Sequence, residues 1–177
     1  MGNIVVSEFI TLDGVIENPE WSMPFFNEEI GKFKKDDLFA SDALLMGRVT
    51  YEIHAATWPS EKDEEGLADR MNSIPKYVVS STLKQVEWNN SRLIRGNILE
   101  EIKKLKREIK RNSLIDGGSD LTNLLMQHNL IEEYRLLVYP VVLGKGKRLF
   151  REDSPKMELR LKEVKALSNG VVALIYQ

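Results

Sequence analysis

The sequence of 177 residues contains no cysteine and only two histidines, His54 and His128. The absence of cysteine excludes disulfide bonds, thiolate zinc sites, iron–sulfur clusters and cysteine nucleophiles. It also excludes the zinc nucleobase deaminases, because their P-C-x-x-C ligand pair cannot exist here. With so few histidines we predict no metal site. An enzyme of this composition that performs difficult chemistry is therefore expected to borrow an organic cofactor.

The sequence also lacks a long hydrophobic run and a recognisable leader. Its longest apolar run, Leu136 to Leu143, is far shorter than the roughly 20 residues that cross a bilayer. The start, MGNIVVSEF, has no basic segment before its short apolar stretch, so it does not resemble a signal peptide. The net charge of −2 disfavours generic binding to nucleic acids or anionic membranes. We therefore expect a cytoplasmic protein whose partners include neither.

The sequence does contain an alternation of short β-rich segments and amphipathic stretches. Strands are expected at 3–9, 43–46, 76–80, 91–95, 114–116, 133–143, 157–167 and 171–176. Helices are expected at about 25–38, at 48–57, from an Asn97–Glu100 capping box onward and around 121–128. Residues 60–73 are expected to form an acidic surface loop with at most one helical turn. This order predicts one α/β domain over residues 1–177, with three α/β/α layers, a mostly parallel central sheet and antiparallel C-terminal strands.

In open α/β sheets, ligands bind beyond the carboxyl ends of the strands, where helix N-termini direct free N–H groups at anions. The first junction of this kind is MGRVTYE. Gly47 lets a ligand approach the backbone, Arg48 offers a planar charge that matches a phosphate, and Thr50 adds a hydroxyl in the first helical turn. The alternative interpretation is an ordinary strand–helix turn with a solvated arginine.

The second junction carries three consecutive hydroxyl side chains, Ser80, Ser81 and Thr82, at the end of a predicted strand. Hydroxyl groups hydrogen-bond to phosphate oxygens. They also stabilise turns, so this cluster by itself is a weak signal.

The third junction is a glycine pair between a strand and a helix, IDGGSD. The backbone N–H groups of Gly118 and Ser119 could cradle a pyrophosphate, with Gly117 leaving room for it. Asp120 works against this, because its carboxylate favours the helix dipole but repels a phosphate. Neither a G-x-G-x-x-G fingerprint nor a Walker A sequence is present.

Several blocks of sequence in a fixed order resemble a known superfamily. The blocks are SEFITLDGVIE, LLMGRVTYE, KYVVSSTL, IDGGSDLTNLL and IEEYRLLVYPVVLGKGKRLF, of which LMGRVTYE and IDGG are the most specific. They resemble the bacterial dihydrofolate reductases and the reductase domain of the bifunctional riboflavin-biosynthesis protein, the RibD C-terminal domain family. The resemblance covers nearly the whole chain. It implies a dihydrofolate reductase-like fold, NADPH as the cofactor and a homodimer.

The resemblance also implies roles for the residues of the three junctions and of the first loop. Residues 11–21 would close over the nicotinamide as a lid. Asp13, at the base of this lid, is a candidate catalytic residue. The implied cofactor ligands are Gly47, Arg48 and Thr50 for phosphates, Ser80 and Ser81, with Thr82 beside them, for the adenosine 2′-phosphate, and Gly117, Gly118 and Ser119 for the pyrophosphate.

Dihydrofolate reductases hold an aminopyrimidine ring with an acidic side chain on the first helix. Helical geometry places Glu29 about 60° from Phe26, on the apolar side, whereas Glu28 points roughly away. Glu29 is therefore the candidate catalytic acid, and we expect desolvation to raise its pKa toward a proton-donating role. The alternative is a boundary glutamate that reaches solvent.

The sequence thus predicts an NADPH-dependent reductase that transfers a hydride to a small heterocyclic or carbonyl substrate. Within this class, a dihydrofolate-like pterin and the ribosylamino-uracil of riboflavin synthesis compete as substrates. The alternative from another class is an NADP(H)-binding sensor or interaction module of the same fold that does not turn over.

Overall fold

The structure is a computed structural model that describes residues 1–177, and it contains eight strands and five α-helices. The strands are β1 (Asn3–Thr11), β2 (Ser41–Gly47), β3 (Lys76–Val79), β4 (Ser91–Ile94), β5 (Asn112–Asp116), β6 (Glu133–Tyr139), β7 (Leu161–Ala166) and β8 (Val172–Tyr176). The helices are α1 (Glu28–Phe39), α2 (Arg48–Thr57), α3 (Leu67–Ser73), α4 (Ile98–Glu108) and α5 (Ser119–Gln127). Short 3-10 helices cover Pro19–Phe25 and Trp58–Ser60.

All eight strands form one sheet in the order β4-β3-β2-β5-β1-β6-β8-β7. All pairings among strands β1 to β6 are parallel, whereas β8 pairs antiparallel with both β6 and β7. The predicted mostly parallel sheet with antiparallel C-terminal strands is confirmed. Because the parallel strands point the same way, the turns that follow β1 to β6 lie along one edge of the sheet.

Alternate residues of the central strands pack against helices on opposite faces, as the two-residue repeat of a strand requires. Ile4 and Val6 of β1 join a cluster with residues of α4 and α5. Val5, between them, joins a cluster with residues of α1, α2 and α3. The sheet is therefore buried on both sides between two helical layers, which confirms the expected three-layer architecture.

One helix lies where the sequence predicted a surface loop. The segment 60–73 contains α3, and the carboxylate of Asp63 accepts hydrogen bonds from the backbone N–H groups of Leu67 (2.9 Å) and Ala68 (2.5 Å) at its first turn. Ala68 and Met71 are buried against the sheet. The hydrophobic pattern of this short helix is too brief to stand out in an acidic segment.

The C-terminal strands and the first helix are shorter than predicted. Strand β6 ends at Tyr139 because Pro140 has no N–H to continue the ladder. Strand β7 begins at Leu161 rather than at 157, and α1 begins at Glu28 after the side chain of Asn27 caps the N–H of Ile30. None of the helices is both long and apolar enough to cross a membrane.

Candidate cofactor and substrate site

The three junctions that the sequence singled out follow neighbouring strands. Strand β2 lies between β3 and β5, and Gly47 at its end is paired with Val79, the residue before Ser80. On the other side of β2, Leu44 is paired with Leu114, so that the two glycines after β5 follow the same edge. The structure thus brings the three junctions side by side at the carboxyl edge of the sheet.

Two helix N-termini meet at this edge, and neither has a side-chain cap. Helix α2 starts after Gly47 and α5 starts after Gly118, and no side chain hydrogen-bonds to the free N–H groups of either first turn. A Cβ atom added at Gly118 would lie 3.3 Å from Thr50 Oγ1, so the two turns are in close contact. Gly118 also has φ +107°, which side chains rarely adopt. Uncapped N–H groups and positive helix ends suit a bound anion.

Neither packing nor backbone geometry requires a glycine at position 47. Its φ is −82°, which any residue adopts, and a Cβ atom built there meets nothing within 4 Å. A Cβ atom at Gly117 would also point into open space. Added side chains would therefore fill space above the two helix N-termini rather than clash with the protein. This cradle fits the phosphates of a dinucleotide.

Charged side chains border the cradle on two sides. Arg48 is half-exposed and forms an (i, i+4) ion pair with Glu52 at 2.8 Å, a contact weak enough to be exchanged for a phosphate. On the α5 side, Arg151 Nη2 lies 2.8 Å from the hydroxyl of Ser119 and 2.5 Å from Asp120 Oδ1. Arg151 thereby neutralises the carboxylate that sequence reasoning expected to repel an anion.

The hydroxyl cluster after β3 divides into one buried and two exposed groups. Ser80 is buried, and its Oγ accepts hydrogen bonds from the N–H groups of Thr82 (3.2 Å) and Leu83 (3.0 Å). Ser81 and Thr82 are exposed. The hydroxyl of Ser80 therefore stabilises the turn, and that of Ser81 is free to meet a ligand.

A shallow cavity opens beside this cluster at the end of β4, which the sequence analysis did not include. The volume of this cavity is about 400 Å³. The hydroxyl cluster is connected to β4, because the N–H of Ser80 donates to the carbonyl of Ile94 at 3.2 Å. Three of its lining side chains are cationic. The cavity is lined by Lys84, Arg92, Leu93, Ile94, Arg95 and Glu101.

Asp13 fastens the predicted lid to a second loop. Its carboxylate accepts hydrogen bonds from the hydroxyl of Thr11 (2.6 Å) and the N–H of Gly144 (2.7 Å). These bonds lower the pKa of Asp13 to about 2. Further along, the N–H of Lys147 donates to the carboxylate of Glu17 at 3.1 Å. The structure thus places Asp13 in a structural clamp, and a catalytic role for it stays a prediction.

Glu29 lies at the turn between β7 and β8. Its Oε1 accepts hydrogen bonds from the N–H and the hydroxyl of Ser168, at 2.9 and 2.5 Å. These bonds lower the pKa of Glu29, with a further contribution from Lys165, whereas we expected desolvation to raise it. The structure therefore does not place Glu29 with the three junctions, and its role in catalysis is still a prediction.

An ionic cluster that sequence reasoning missed lies at the middle of β1 and the end of β5, beside the glycine pair. Lys34 of α1 is 2.6 Å from Asp116 Oδ1 and donates to the hydroxyl of Ser7 at 2.7 Å. The hydroxyl of Ser7 in turn donates to Asp37, which also binds Arg135 at 2.5 Å. A salt bridge between residues 82 positions apart leaves no local pattern in a sequence.

Glu8 is the second group that the sequence did not reveal. It is 5% exposed on β1, and its Oε1 has no hydrogen-bond partner. Burial raises the pKa of Glu8 to about 8; the charge of Lys34 opposes this shift and that of Asp116 adds to it. Glu8 is therefore a neutral carboxylic acid near pH 7.

This strand order, with the phosphate-compatible turns at one edge, defines an α/β protein of the dihydrofolate reductase-like class. Residues 3–173 match the RibD C-terminal domain family, and the chain belongs to that family. It is 33% identical to Uncharacterized protein YyaP of Bacillus subtilis (strain 168), over 98% of this chain and 93% of YyaP.

Solved structures share the fold. A protein named for riboflavin biosynthesis from Shewanella sp. PV-4 superposes with a TM-score of 0.77 at 21% identity, over 98% of this chain and 97% of that one. The Thermotoga maritima diaminohydroxyphosphoribosylaminopyrimidine deaminase/5-amino-6-(5-phosphoribosylamino)uracil reductase gives a TM-score of 0.67 at 14% identity, over 99% of this chain and 56% of that one.

Proposed function

We propose that the protein is an NADPH-dependent reductase that transfers a hydride to a small heterocyclic substrate of the riboflavin-pathway type. The observation that carries this proposal is the convergence of three turns between two uncapped helix N-termini, around Gly47 and Gly117, where an added Cβ atom would meet open space. Membership of the RibD C-terminal domain family supports it. As such a reductase, it would draw on cytoplasmic NADPH and work as a homodimer.

In this proposal the chain binds the dinucleotide by its phosphates. The N–H groups at the starts of α2 and α5 hold the pyrophosphate, and Thr50 adds a hydroxyl between them. Arg48 releases its ion pair with Glu52 and binds a phosphate instead, and the hydroxyl of Ser81 donates a hydrogen bond to the 2′-phosphate. The bound cofactor supplies the hydride, while the protein supplies position and electrostatic environment.

We assign the reacting end of the site to the ionic cluster, because Asp116 ends β5 immediately before the glycine pair. Burial lowers the pKa of Lys34, but the neighbouring charges of Asp116 and Asp37 outweigh burial and raise it. Lys34 therefore stays protonated and acts as a fixed positive charge near a substrate, not as a proton donor. Asp116 offers a carboxylate beside it, so a substrate with both donor and acceptor groups is suited to the pair.

The sequence left two substrates as alternatives, a pterin and a ribosylamino-uracil, and the position of Glu29 favours the second. A pterin needs a free carboxylate on α1 for its aminopyrimidine edge, and the carboxylate of Glu29 is bound by Ser168. The name of the Thermotoga maritima protein supports a ribosylamino-uracil instead. The deaminase named together with that reductase is not among residues 1–177, because they contain no cysteine for its zinc ligands.

The test is a titration of the protein with NADPH and, separately, with NADH, followed by nicotinamide fluorescence. We expect tighter binding of NADPH, and we expect Arg48→Ala to weaken it about 10-fold or more through loss of a charge-assisted hydrogen bond. Arg107→Ala, an exposed arginine on α4, is the matched control and should bind normally. Equal, millimolar binding of both nucleotides would overturn the proposal. Binding without cofactor oxidation by any candidate substrate would favour the non-catalytic sensor.

A further inference from the structure

His54 lies in the second turn of α2. It follows Thr50 by four residues, so the two side chains share one face of the helix. Thr50 is the residue whose hydroxyl approaches Gly118. Asp116 shares with Leu114 the side of β5 that packs against α1 and α2. In agreement, His54 and Asp116 each shift the other's pKa electrostatically.

The tautomer of His54 is fixed by Trp58. The indole N–H of Trp58 donates to His54 Nδ1 at 2.8 Å. An indole N–H can only donate, so Nδ1 must carry a lone pair and the ring proton of the neutral imidazole must be on Nε2. No hydrogen bond within the chain uses Nε2. The ring is further held by stacking on Trp88, with centroids 6.4 Å apart and an interplanar angle of 21°.

The imidazole is also kept neutral. Burial lowers the pKa of His54, the charge of Lys34 lowers it further, and Asp116 opposes them by raising it. A protonated ring would in addition carry a proton on Nδ1 and break the bond from Trp58. The result is a rigid, uncharged N–H donor on the face of α2 that carries Thr50.

We propose that His54 is a specificity-determining residue of the substrate site and donates its Nε2–H to an oxygen acceptor of the substrate. The inference rests on the proposed function and deepens it. The ammonium group of Lys34 donates to Ser7 and Asp116, and the Nε2–H of His54 adds a donor that no group of the chain uses. The substrate class is a neutral ring with a carbonyl oxygen, rather than an amidine-like edge that would need an acceptor at this position.

The tautomer is tested directly by nitrogen-15 NMR of the histidine side chains. We expect His54 as the neutral Nε2–H form at pH 7, with His128 as the internal reference. In Trp58→Phe, which keeps an aromatic ring but removes the donor, both tautomers of His54 should be populated. An Nδ1–H form or a charged imidazole in the unsubstituted protein would overturn the inference.

The donor role is tested with two ring fragments that differ in the group they present, uracil and 2,4-diaminopyrimidine, in the presence of NADP⁺. We expect uracil to bind more tightly and to shift the Nε2–H resonance of His54. His54→Phe should weaken uracil binding about 10-fold, as loss of one hydrogen bond predicts, whereas His54→Gln, which keeps an N–H, should stay within about 3-fold. His128→Gln is the control. Thermal unfolding confirms that each variant is folded.

The outcomes separate this inference from the function on which it rests. If NADPH does not bind, the proposed reductase function fails. If NADPH binds but uracil affinity is the same in His54→Phe and His54→Gln, or neither fragment binds saturably, only the role of His54 is overturned.

Discussion

Lys34 Nζ lies 2.6 Å from Asp116 Oδ1, so that the middle of α1 is joined to the end of β5 immediately before the glycine pair. Lys34 is 21% exposed and Asp116 36% exposed at the side chain. Because Lys34 also reaches Ser7, the pair ties together two strands and a helix at the site. It therefore bears on both stability and substrate binding.

Replacing Lys34 by Met should destabilise the fold by roughly 2 kcal/mol. Removing one partner of a fully buried pair costs about 3–5 kcal/mol, and the partial exposure of Asp116 reduces this. Chemical denaturation measures the change. Lys35→Met, which breaks the exposed pair with Glu65, is the control and should cost less than about 1 kcal/mol. Equal costs for the two variants would contradict the structural role of Lys34.

Gly47→Ala separates ligand binding from folding. The backbone and the space at Gly47 accept a methyl group, so the free energy of unfolding should change by less than about 1 kcal/mol. NADPH affinity should fall about 10-fold or more, because the methyl group occupies the cradle. Gly31→Ala, within α1, is the matched control and should leave the affinity unchanged. Normal NADPH binding by Gly47→Ala would show that the cradle is not the phosphate site.

The two adjacent serines after β3 should behave differently. Ser80→Ala removes two hydrogen bonds of a buried hydroxyl and should lower stability by about 1 kcal/mol. Ser81→Ala should leave stability unchanged and reduce the preference for NADPH over NADH. Denaturation and nucleotide titrations of both variants decide the matter. A loss of preference in Ser80→Ala alone would reverse these assignments.

Glu8 should make the wild-type protein less stable as the solution becomes more alkaline. Its pKa in the folded protein is about 8, above the ordinary value of 4.5, so the native state holds a proton that the unfolded chain has released. The stabilising contribution is complete below pH 4.5 and is lost as the pH rises through 8. Glu8→Gln should remove this dependence and gain stability over wild type by about 1 kcal/mol or more at pH 8.5. Unfolding midpoints at pH 5 and 8.5 measure it; a constant difference between the two proteins would argue against a neutral Glu8.

Local patterns in the sequence predicted most of the elements. Asn97 caps α4 by accepting from the N–H of Glu100, as the sequence indicated. Short buried runs such as Ala43–Met46 marked the central strands. The resemblance to a known family implied the fold class, whereas the order in which those strands pair was not predicted.

The chemistry between distant residues could not be predicted in the same way. Hydroxyl side chains and glycines at strand ends indicate a strand–helix junction. The Lys34–Asp116 contact and the burial of Glu8, in contrast, depend on how the helices pack against the sheet. Glu29 illustrates both points. Its position on the helix could be inferred from a period of 3.6 residues, but its hydrogen-bond partner Ser168 lies in a turn 139 positions away and could not.

Titration with NADPH, followed by the backbone amide resonances of Gly47, Ser81 and Gly118, tests the proposed phosphate site most directly. We expect all three resonances to shift together and to saturate with one dissociation constant, because one dinucleotide spans the three junctions. Shifts confined to a single junction, or shifts at all three that do not saturate, would contradict it.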